Sequence, residues 1–213
     1  MKAILKSNSS FLVPFTIFSL LSAVLLTFNS KSSTHLEFNT FHNTFFDIFF
    51  YFFTFLGDGV VALLVVVILL AVKLRYAIIV GVSNIIASLI TQLLKHTLFA
   101  GVVRPKKFFE GIHNLYFIPG VNNYLYNSFP SGHTTCAFSL YLGLAFLTKN
   151  KIVKTLLFFI AFLVGYSRIY LSQHFLEDVL AGALIGVITT IIIYYFVQQS
   201  NKLWMEESIK SFF

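Results

Sequence analysis

The sequence predicts an all-α integral membrane protein, a bundle of six transmembrane helices. Apolar residues make up 57% of the 213 residues and charged residues only 11%, whereas charged residues form roughly a quarter of an ordinary globular protein. The apolar residues are gathered into six long runs, and polar or ionisable clusters stand at the ends of several of them. Because ionisable side chains beside hydrocarbon are costly, these clusters are candidates for a functional site.

The first run, Phe11–Phe28, follows Lys2 and Lys6. It is longer than the apolar core of a signal peptide and no small-residue cleavage site follows, so we interpret it as an uncleaved transmembrane helix. The aromatic segment Phe45–Leu56 is too short to span and is expected to lie along the interface or dip partway in. The five later spans are predicted at about Gly59–Val72, Tyr76–Leu94, His133–Thr148, Thr155–Leu171 and Leu176–Val197.

The chain is interpreted as one membrane-embedded domain, residues 1–213, because no linker or internal repeat divides it. Six spans place both termini on one side: residues 1–10, and the tail 198–213, which is expected to form an amphipathic surface helix. Nine of the fifteen Lys and Arg residues fall on that side, so the positive-inside rule makes it cytoplasmic. The net charge of +7 comes from these short loops, with no basic tract that would suit nucleic acid.

Three segments on the opposite face carry unusual chemistry. They are Lys95 with Arg104-Pro105 and the neighbouring Lys106 and Lys107; Pro130-Ser131-Gly132-His133; and Ser167-Arg168 with His174 and Asp178. If His174 and Asp178 open the last helix, they share a face, and the carboxylate can hold one imidazole nitrogen while the other stays free. Taken alone, this last segment could equally mark a membrane-water boundary.

Together the segments supply cations, a small-residue turn at a helix start and two histidines. Arginine and lysine bind phosphate oxygens, a helix N-terminus adds amide donors, and two histidines can divide into a nucleophile and a general acid. This set suits transfer of a phosphoryl group without a metal or cofactor. A metal site built from the histidines and carboxylates is the less favoured alternative, because the nearby cations oppose it.

These residues resemble the type-2 phosphatidic acid phosphatase superfamily. Its signature is a lysine, six residues and Arg-Pro; then Pro-Ser-Gly-His; then Ser-Arg, five residues, histidine, three residues and aspartate. Pro130–His133 matches the second part and Ser167–Asp178 the third, both without a gap. In the first part, eight residues instead of six separate Lys95 from Arg104, and Thr97 stands where the signature has lysine. Lys106 or Lys107 is therefore an alternative to Lys95.

The resemblance implies a catalytic site at the outer membrane-water boundary. His174 would attack phosphorus and form a phosphohistidine, Asp178 would orient its ring, and His133 would protonate the leaving oxygen. Lys95, Arg104, Ser131, Gly132 and Arg168 would hold the phosphate oxygens.

A lipid phosphate monoester or diphosphate is the expected substrate, because a site at the boundary accommodates both head group and tail. Undecaprenyl diphosphate, phosphatidylglycerophosphate, phosphatidate and lipid A all stay open. The expected location is a bacterial cytoplasmic membrane, among membrane lipids, with the site facing outward. The alternatives are a phosphatase for a soluble ester or a vanadate-dependent oxidase using the same pocket, and a non-enzymatic membrane protein.

Overall fold

The computed structural model describes residues 2–212, and over this range the chain is helical with no strand. The ten α-helices are α1 (Lys2–Ser7), α2 (Ser9–Phe28), α3 (Lys31–Phe38), α4 (Thr44–Phe53), α5 (Gly59–Val72), α6 (Leu74–His96), α7 (Pro105–Phe108), α8 (Gly132–Leu147), α9 (Lys151–Tyr170) and α10 (Leu176–Gln198). Short 3₁₀ turns cover Thr54–Gly57, Leu203–Glu206 and Ile209–Phe212.

Helices stand at all six places where a span is predicted. Four of them, α2, α6, α9 and α10, are long and apolar enough to cross a membrane. The segment from Thr44 to Gly57 and helix α5 form a fifth candidate, bent by 52° at the break between them. Helix α8 has only 16 residues. An all-helical chain with four or five candidate spans is thus established, and the sixth span stays a prediction.

Polar residues at the predicted loop positions start several helices. The Ser30 hydroxyl accepts from the Ser33 amide at 3.1 Å, and the Asn43 side chain accepts from the Phe46 amide at 3.0 Å. The Asp58 carboxylate accepts from the Val60 amide at 3.0 Å at the bend before α5. Such side chains satisfy amides that lack an intrahelical partner, which fixes where each helix begins.

Helix α8 is the centre of the bundle. Twelve of its 16 residues are buried, and it packs against α6, α9 and α10. Helix α10 approaches closely because two of its contact residues are glycines. A Cβ atom at Gly182 would lie 2.5 Å from the Ser131 carbonyl oxygen, and one at Gly186 would lie 2.6 Å from the Thr135 carbonyl oxygen. Small residues of this kind let membrane helices pack backbone to backbone.

The tail does not form the expected amphipathic helix. It makes two 3₁₀ turns and folds back on the start of α6. The Glu206 carboxylate pairs with Lys73 and Arg75, and the Arg75 guanidinium also donates to the Val197 carbonyl at 2.6 Å. These contacts hold the tail in its folded-back form, which a continuous helix would not allow. Composition alone does not reveal such contacts, so the predicted amphipathic helix is wrong.

Candidate active site

The three polar segments meet at one end of the bundle. The contributing elements are the last turn of α6, the loop between α6 and α8, the first turn of α8, the last turn of α9 and the junction of α9 with α10. The Ser131 amide donates to the Asp178 carbonyl at 3.0 Å, which joins the starts of α8 and α10. Arg104 in the long loop contacts His174 at the helix junction. Residues far apart in sequence therefore share one buried site.

His174 and Asp178 are in direct contact. The Nδ1 atom of His174 lies 3.2 Å from Oδ2 of Asp178, and both side chains are buried. Helix α10 begins at Leu176, where the last span is predicted to begin, so Asp178 lies in the helix and His174 in the preceding turn. The contact arises from the helix cap: Asp178 is the third helical residue and turns back toward the chain before the helix.

The Asp178 carboxylate is fixed by three donors on a single oxygen. Besides His174, its Oδ2 atom accepts from the Phe175 amide at 2.9 Å and the Ser128 hydroxyl at 2.5 Å. Its other oxygen, Oδ1, is buried and has no hydrogen-bond partner among residues 2–212. Three donors on one atom leave the carboxylate little freedom to rotate, so the direction of its bond to the imidazole is set.

Arg104 reaches the other side of the imidazole. Its Nη1 atom lies 3.4 Å from Nε2 of His174 and donates to the Gln173 carbonyl at 3.1 Å. Its Nε atom donates to the Tyr126 carbonyl at 2.9 Å, so the loop backbone holds the guanidinium in place. Since a guanidinium only donates, the nitrogen of His174 that faces it must be the acceptor. Nδ1 then carries the proton, directed at Asp178.

Arg168 is the second buried guanidinium of the site. Its Nη1 atom donates to the Thr54 hydroxyl at 2.7 Å, and its Nη2 atom lies 3.4 Å from the Gln173 side-chain oxygen. Its Nε atom is buried and has no partner within residues 2–212. This guanidinium is thus positioned from two sides while one donor remains available to a ligand.

Of the three candidate lysines, only Lys95 enters the site. It is buried at the end of α6, near enough to Arg104 for the two positive charges to repel each other. Lys107 pairs with Glu110 at 2.5 Å, and Lys106 is exposed over the Phe117 ring. The two extra residues in the first motif therefore do not exclude Lys95.

The Pro-Ser-Gly-His segment forms the start of α8. The Ser131 hydroxyl is buried and accepts from the Thr134 hydroxyl at 2.9 Å, which leaves its own proton free. Gly132 is the first helical residue. The ring of His133 makes no hydrogen bond to residues 2–212 and borders a cavity of about 230 Å³. Gly132 and His133 line this cavity together with Asp58, so the start of α8 borders it. Amides at a helix start can bind an anion.

Burial and charge both affect the protonation of His174. Burial lowers its pKa well below the usual range, and the positive charges of Arg104, Arg168 and Lys95 lower it further. The imidazole is therefore neutral near pH 7, and its contact with Asp178 is a hydrogen bond to a neutral ring. Burial also lowers the pKa of Arg104, with the charge of Asp178 opposing that effect. An arginine remains protonated all the same.

Several contributing residues were not identified from the sequence. Gln173 contacts both arginines, Ser128 donates to Asp178, and Thr54 accepts from Arg168. Gln173 and Ser128 flank recognised motif residues, and this adjacency was the only signal for them. Thr54 is 114 residues from its partner and carried no signal.

The lone histidines separate into two groups. His96 and His113 are exposed. His35 is buried beside the site, with its ring 5.3 Å from that of Phe175 and its Nε2 atom 3.3 Å from the Ser172 hydroxyl. His42 lies farther out and pairs with Asp47 at 3.1 Å. Ser167 donates to the Val164 carbonyl at 2.6 Å.

The geometry and the motifs together define a family. The chain belongs to the PAP2 superfamily, whose model matches residues 76–202 and so includes all eight candidate site residues. Among curated proteins it is similar to the lipid A 4'-phosphatase of Porphyromonas gingivalis, at 34% identity over 80 residues, covering 38% of this chain and 34% of the relative. It is also similar to the undecaprenyl-diphosphatase BcrC of Bacillus subtilis, at 30% identity over 123 residues, covering 50% of this chain and 60% of the relative.

A solved structure has the same fold. LpxE of Aquifex aeolicus superposes with a TM-score of 0.68 at 28% identity, covering 76% of this chain and 93% of that one. The sequence matches to the two curated relatives span between about a third and three-fifths of their lengths.

Proposed function

We propose that this protein is a membrane-bound phosphatase that hydrolyses a lipid phosphate monoester or diphosphate through a phosphohistidine at His174. The observation that carries the proposal is a polar cavity at His133 that continues into an apolar groove between α5 and α6. The cavity and the groove share Gly59, Ser88 and Gln92.

The two parts differ in chemistry. The groove has a volume of about 360 Å³, and its walls are mainly apolar. Its residues run along α5 and α6 toward the middle of both helices, as far as Val66 and Gly81. A substrate with a phosphate head and a hydrocarbon tail matches this pair of environments, because each part finds surroundings of its own polarity. A soluble phosphate ester would leave the groove unused.

His174 is suited to attack phosphorus. With its proton on Nδ1 toward Asp178, the lone pair of Nε2 points to the side of Arg104. The nitrogen would form a bond to phosphorus as the bond from phosphorus to the lipid oxygen breaks, and His133 would give that oxygen a proton. Water would then attack phosphorus and give a proton to His133, which breaks the phosphorus-nitrogen bond, releases phosphate and restores both histidines.

The cations supply what phosphoryl transfer needs most, which is positioning and charge stabilisation. Lys95, Arg104 and Arg168 are buried, and burial strengthens their attraction for an anion. The Ser131 hydroxyl and the Gly132 amide would add donors at the start of α8. Because these groups would cover the equatorial oxygens, we propose that no metal or cofactor takes part.

The proposed arrangement in the membrane has six spans, with α8 as the most central. Residues 1–213 would form one domain with cytoplasmic termini, residues 1–10 and 198–213, in a bacterial cytoplasmic membrane. The site would face outward. A cysteine introduced at the exposed His113 tests this: it should react with an impermeant thiol reagent in intact cells, and labelling only after lysis would reverse the orientation.

The first experiment is phosphate release by the purified protein in detergent, with His174→Ala as control. The panel is undecaprenyl diphosphate, phosphatidylglycerophosphate, phosphatidate, lipid A and glucose 6-phosphate. Release from a lipid, absent in the control, supports the proposal, and release from glucose 6-phosphate alone favours a soluble substrate. If folded protein releases no phosphate from any member of the panel, the proposal that it is a phosphatase is contradicted.

Metal independence is tested in the same assay. We expect EDTA to leave the rate unchanged and orthovanadate to inhibit, because vanadate adopts the five-coordinate geometry of the reacting phosphorus. A rate that EDTA abolishes and a divalent ion restores would contradict this part of the proposal.

A further inference from the structure

Gln173 occupies a central place in the site although it stands at an unspecified position of the third motif. It directly precedes His174 and is only 3% exposed. The turn that contains it folds over the end of α9, where the amides of Gln173 and His174 both donate to the Arg168 carbonyl, at 2.9 and 3.1 Å. The backbone of Gln173 is therefore fixed together with that of His174.

The orientation of its carboxamide is determined by its partners. The Nε2 atom donates to the Asn122 carbonyl at 2.8 Å and to Oδ1 of Asn123 at 2.6 Å. Because both of these partners are oxygens, the NH₂ group must face them. The carboxamide oxygen then faces the opposite way, toward the two arginines. It lies 3.4 Å from Nη1 of Arg104 and 3.4 Å from Nη2 of Arg168.

One neutral oxygen thus stands between two buried cations. The guanidinium groups repel each other, and a carbonyl dipole directed at both offsets part of that repulsion. A carboxylate in the same place would hold the arginines more strongly, but it would also cancel the charge that attracts phosphate. Glutamine therefore fixes their geometry and leaves their charge available.

We propose that Gln173 is a positioning residue that holds Arg104 and Arg168 at the spacing that binds a phosphoryl group. This inference rests on the proposed function, since it concerns the same anion site. Gln173 acts through the two arginines and needs no contact of its own with the substrate.

The other end of the carboxamide ties the arginines to the loop that precedes α8. Asn122 and Asn123 are followed by Tyr124, whose ring centre lies 5.5 Å from Cζ of Arg104. One loop segment thus contacts the guanidinium directly and also through Gln173. Movement of this segment would shift the anion site.

The test is Gln173→Glu, which keeps the shape, adds a negative charge and replaces the NH₂ group that donates to Asn122 and Asn123. Orthovanadate binding is measured without turnover, as the thermal stabilisation of detergent-solubilised protein over a range of vanadate concentrations. We expect the affinity to fall by roughly tenfold or more. The melting temperature of the ligand-free protein should change little, because attraction to the two arginines offsets the hydrogen bonds lost to Asn122 and Asn123. Gln199→Glu, which adds the same charge at the exposed end of α10, is the matched control and should bind vanadate as the wild type does.

A second variant, Asn123→Ala, removes a partner of the carboxamide without altering Gln173. It should weaken vanadate binding by about threefold or more and raise KM more than it lowers kcat. Wild-type vanadate affinity in both Gln173→Glu and Asn123→Ala would overturn the inference. So would a Gln173→Glu variant that loses stability and affinity together, since that result indicates a packing role. Failure of the proposed function is recognised separately, because it would abolish phosphate release by the wild type itself.

Discussion

The Nδ1 atom of His174 lies 3.2 Å from Oδ2 of Asp178, and the Ser128 hydroxyl donates to that same oxygen at 2.5 Å. Since Arg104 covers the opposite nitrogen of the ring, the imidazole has one tautomer that satisfies all of its neighbours. That tautomer directs a lone pair into the group of cations. If His174 is the nucleophile, as we propose, its ring needs no reorientation before attack.

Asp178→Asn should lower kcat by a factor of about 10² to 10⁴. The amide group keeps the size of the carboxylate, but it has no charge to stabilise the imidazole as positive charge develops on it, and its NH₂ favours the wrong tautomer. The measurement is the rate of phosphate release together with vanadate affinity, which should change far less because the cations remain. Comparable losses in rate and affinity would contradict an orienting role. The His174→Ala variant is the control that gives the background rate of phosphate release.

Lys95→Met should reduce kcat/KM and shift its acid limb to higher pH. The Lys95 charge lowers the pKa of His174, so removing that charge raises this pKa, and the proposed nucleophile loses its proton only at a higher pH. The pH-rate profile of the variant measures the shift. Lys106→Met is the matched control, because that side chain is exposed. A larger effect in Lys106→Met would reassign the lysine of the first motif.

Ser88→Trp should block the junction between the polar cavity and the apolar groove, which both include Ser88. We expect KM for the lipid substrate to rise by about tenfold or more, with a smaller loss of vanadate affinity because Lys95, Arg104 and Arg168 are unchanged. Leu93→Trp, on the lipid-exposed face of the same helix, is the control and should behave as the wild type. Unchanged KM in Ser88→Trp would show that the tail binds elsewhere.

His35 should make the protein less stable in mild acid. Burial lowers its pKa from 6.5 to about 4, although the charge of Asp178 opposes this. Between these two values the unfolded chain binds a proton that the folded protein excludes, so stability present above pH 6.5 is lost as the pH falls toward 4.

The comparison is with His35→Phe between pH 7.5 and pH 5. The wild type should lose about 2 kcal/mol more than the variant over this interval, as measured by denaturant unfolding in detergent at both pH values. Equal losses would contradict the assignment. The control His113→Gln changes an exposed histidine and should follow the wild type.

Gly182→Ala should separate α10 from α8. The added methyl group would lie 2.5 Å from the Ser131 carbonyl oxygen, so the helices must move apart by tenths of an ångström, and overpacking of this kind typically costs about 1–3 kcal/mol. Both the melting temperature and kcat should fall, since Ser131 and Asp178 stand on the two helices that separate. Gly59→Ala, where a Cβ atom meets nothing within 4 Å, should leave the melting temperature unchanged.

The sequence by itself determined the class of protein and most of the candidate site. Apolar runs long enough for membrane helices dictate α-helical structure, because a backbone in lipid must satisfy its own hydrogen bonds. The motif residues were recognisable because they are local: His133 follows Ser131 by two positions, and His174 precedes Asp178 by four. Composition and short spacings are sufficient for features of this kind.

The tertiary structure decided what depends on contacts between distant segments. It selected Lys95 over Lys106 and Lys107, and it placed Thr54 against Arg168 across 114 residues. It also put Gln173 between two arginines and fastened the tail to α6. None of these relationships follows from periodicity, because each is set by how the helices pack and by which buried donor finds an acceptor. The physical reason is the same throughout: local sequence governs backbone conformation, whereas burial and pairing of charge are properties of the assembled bundle.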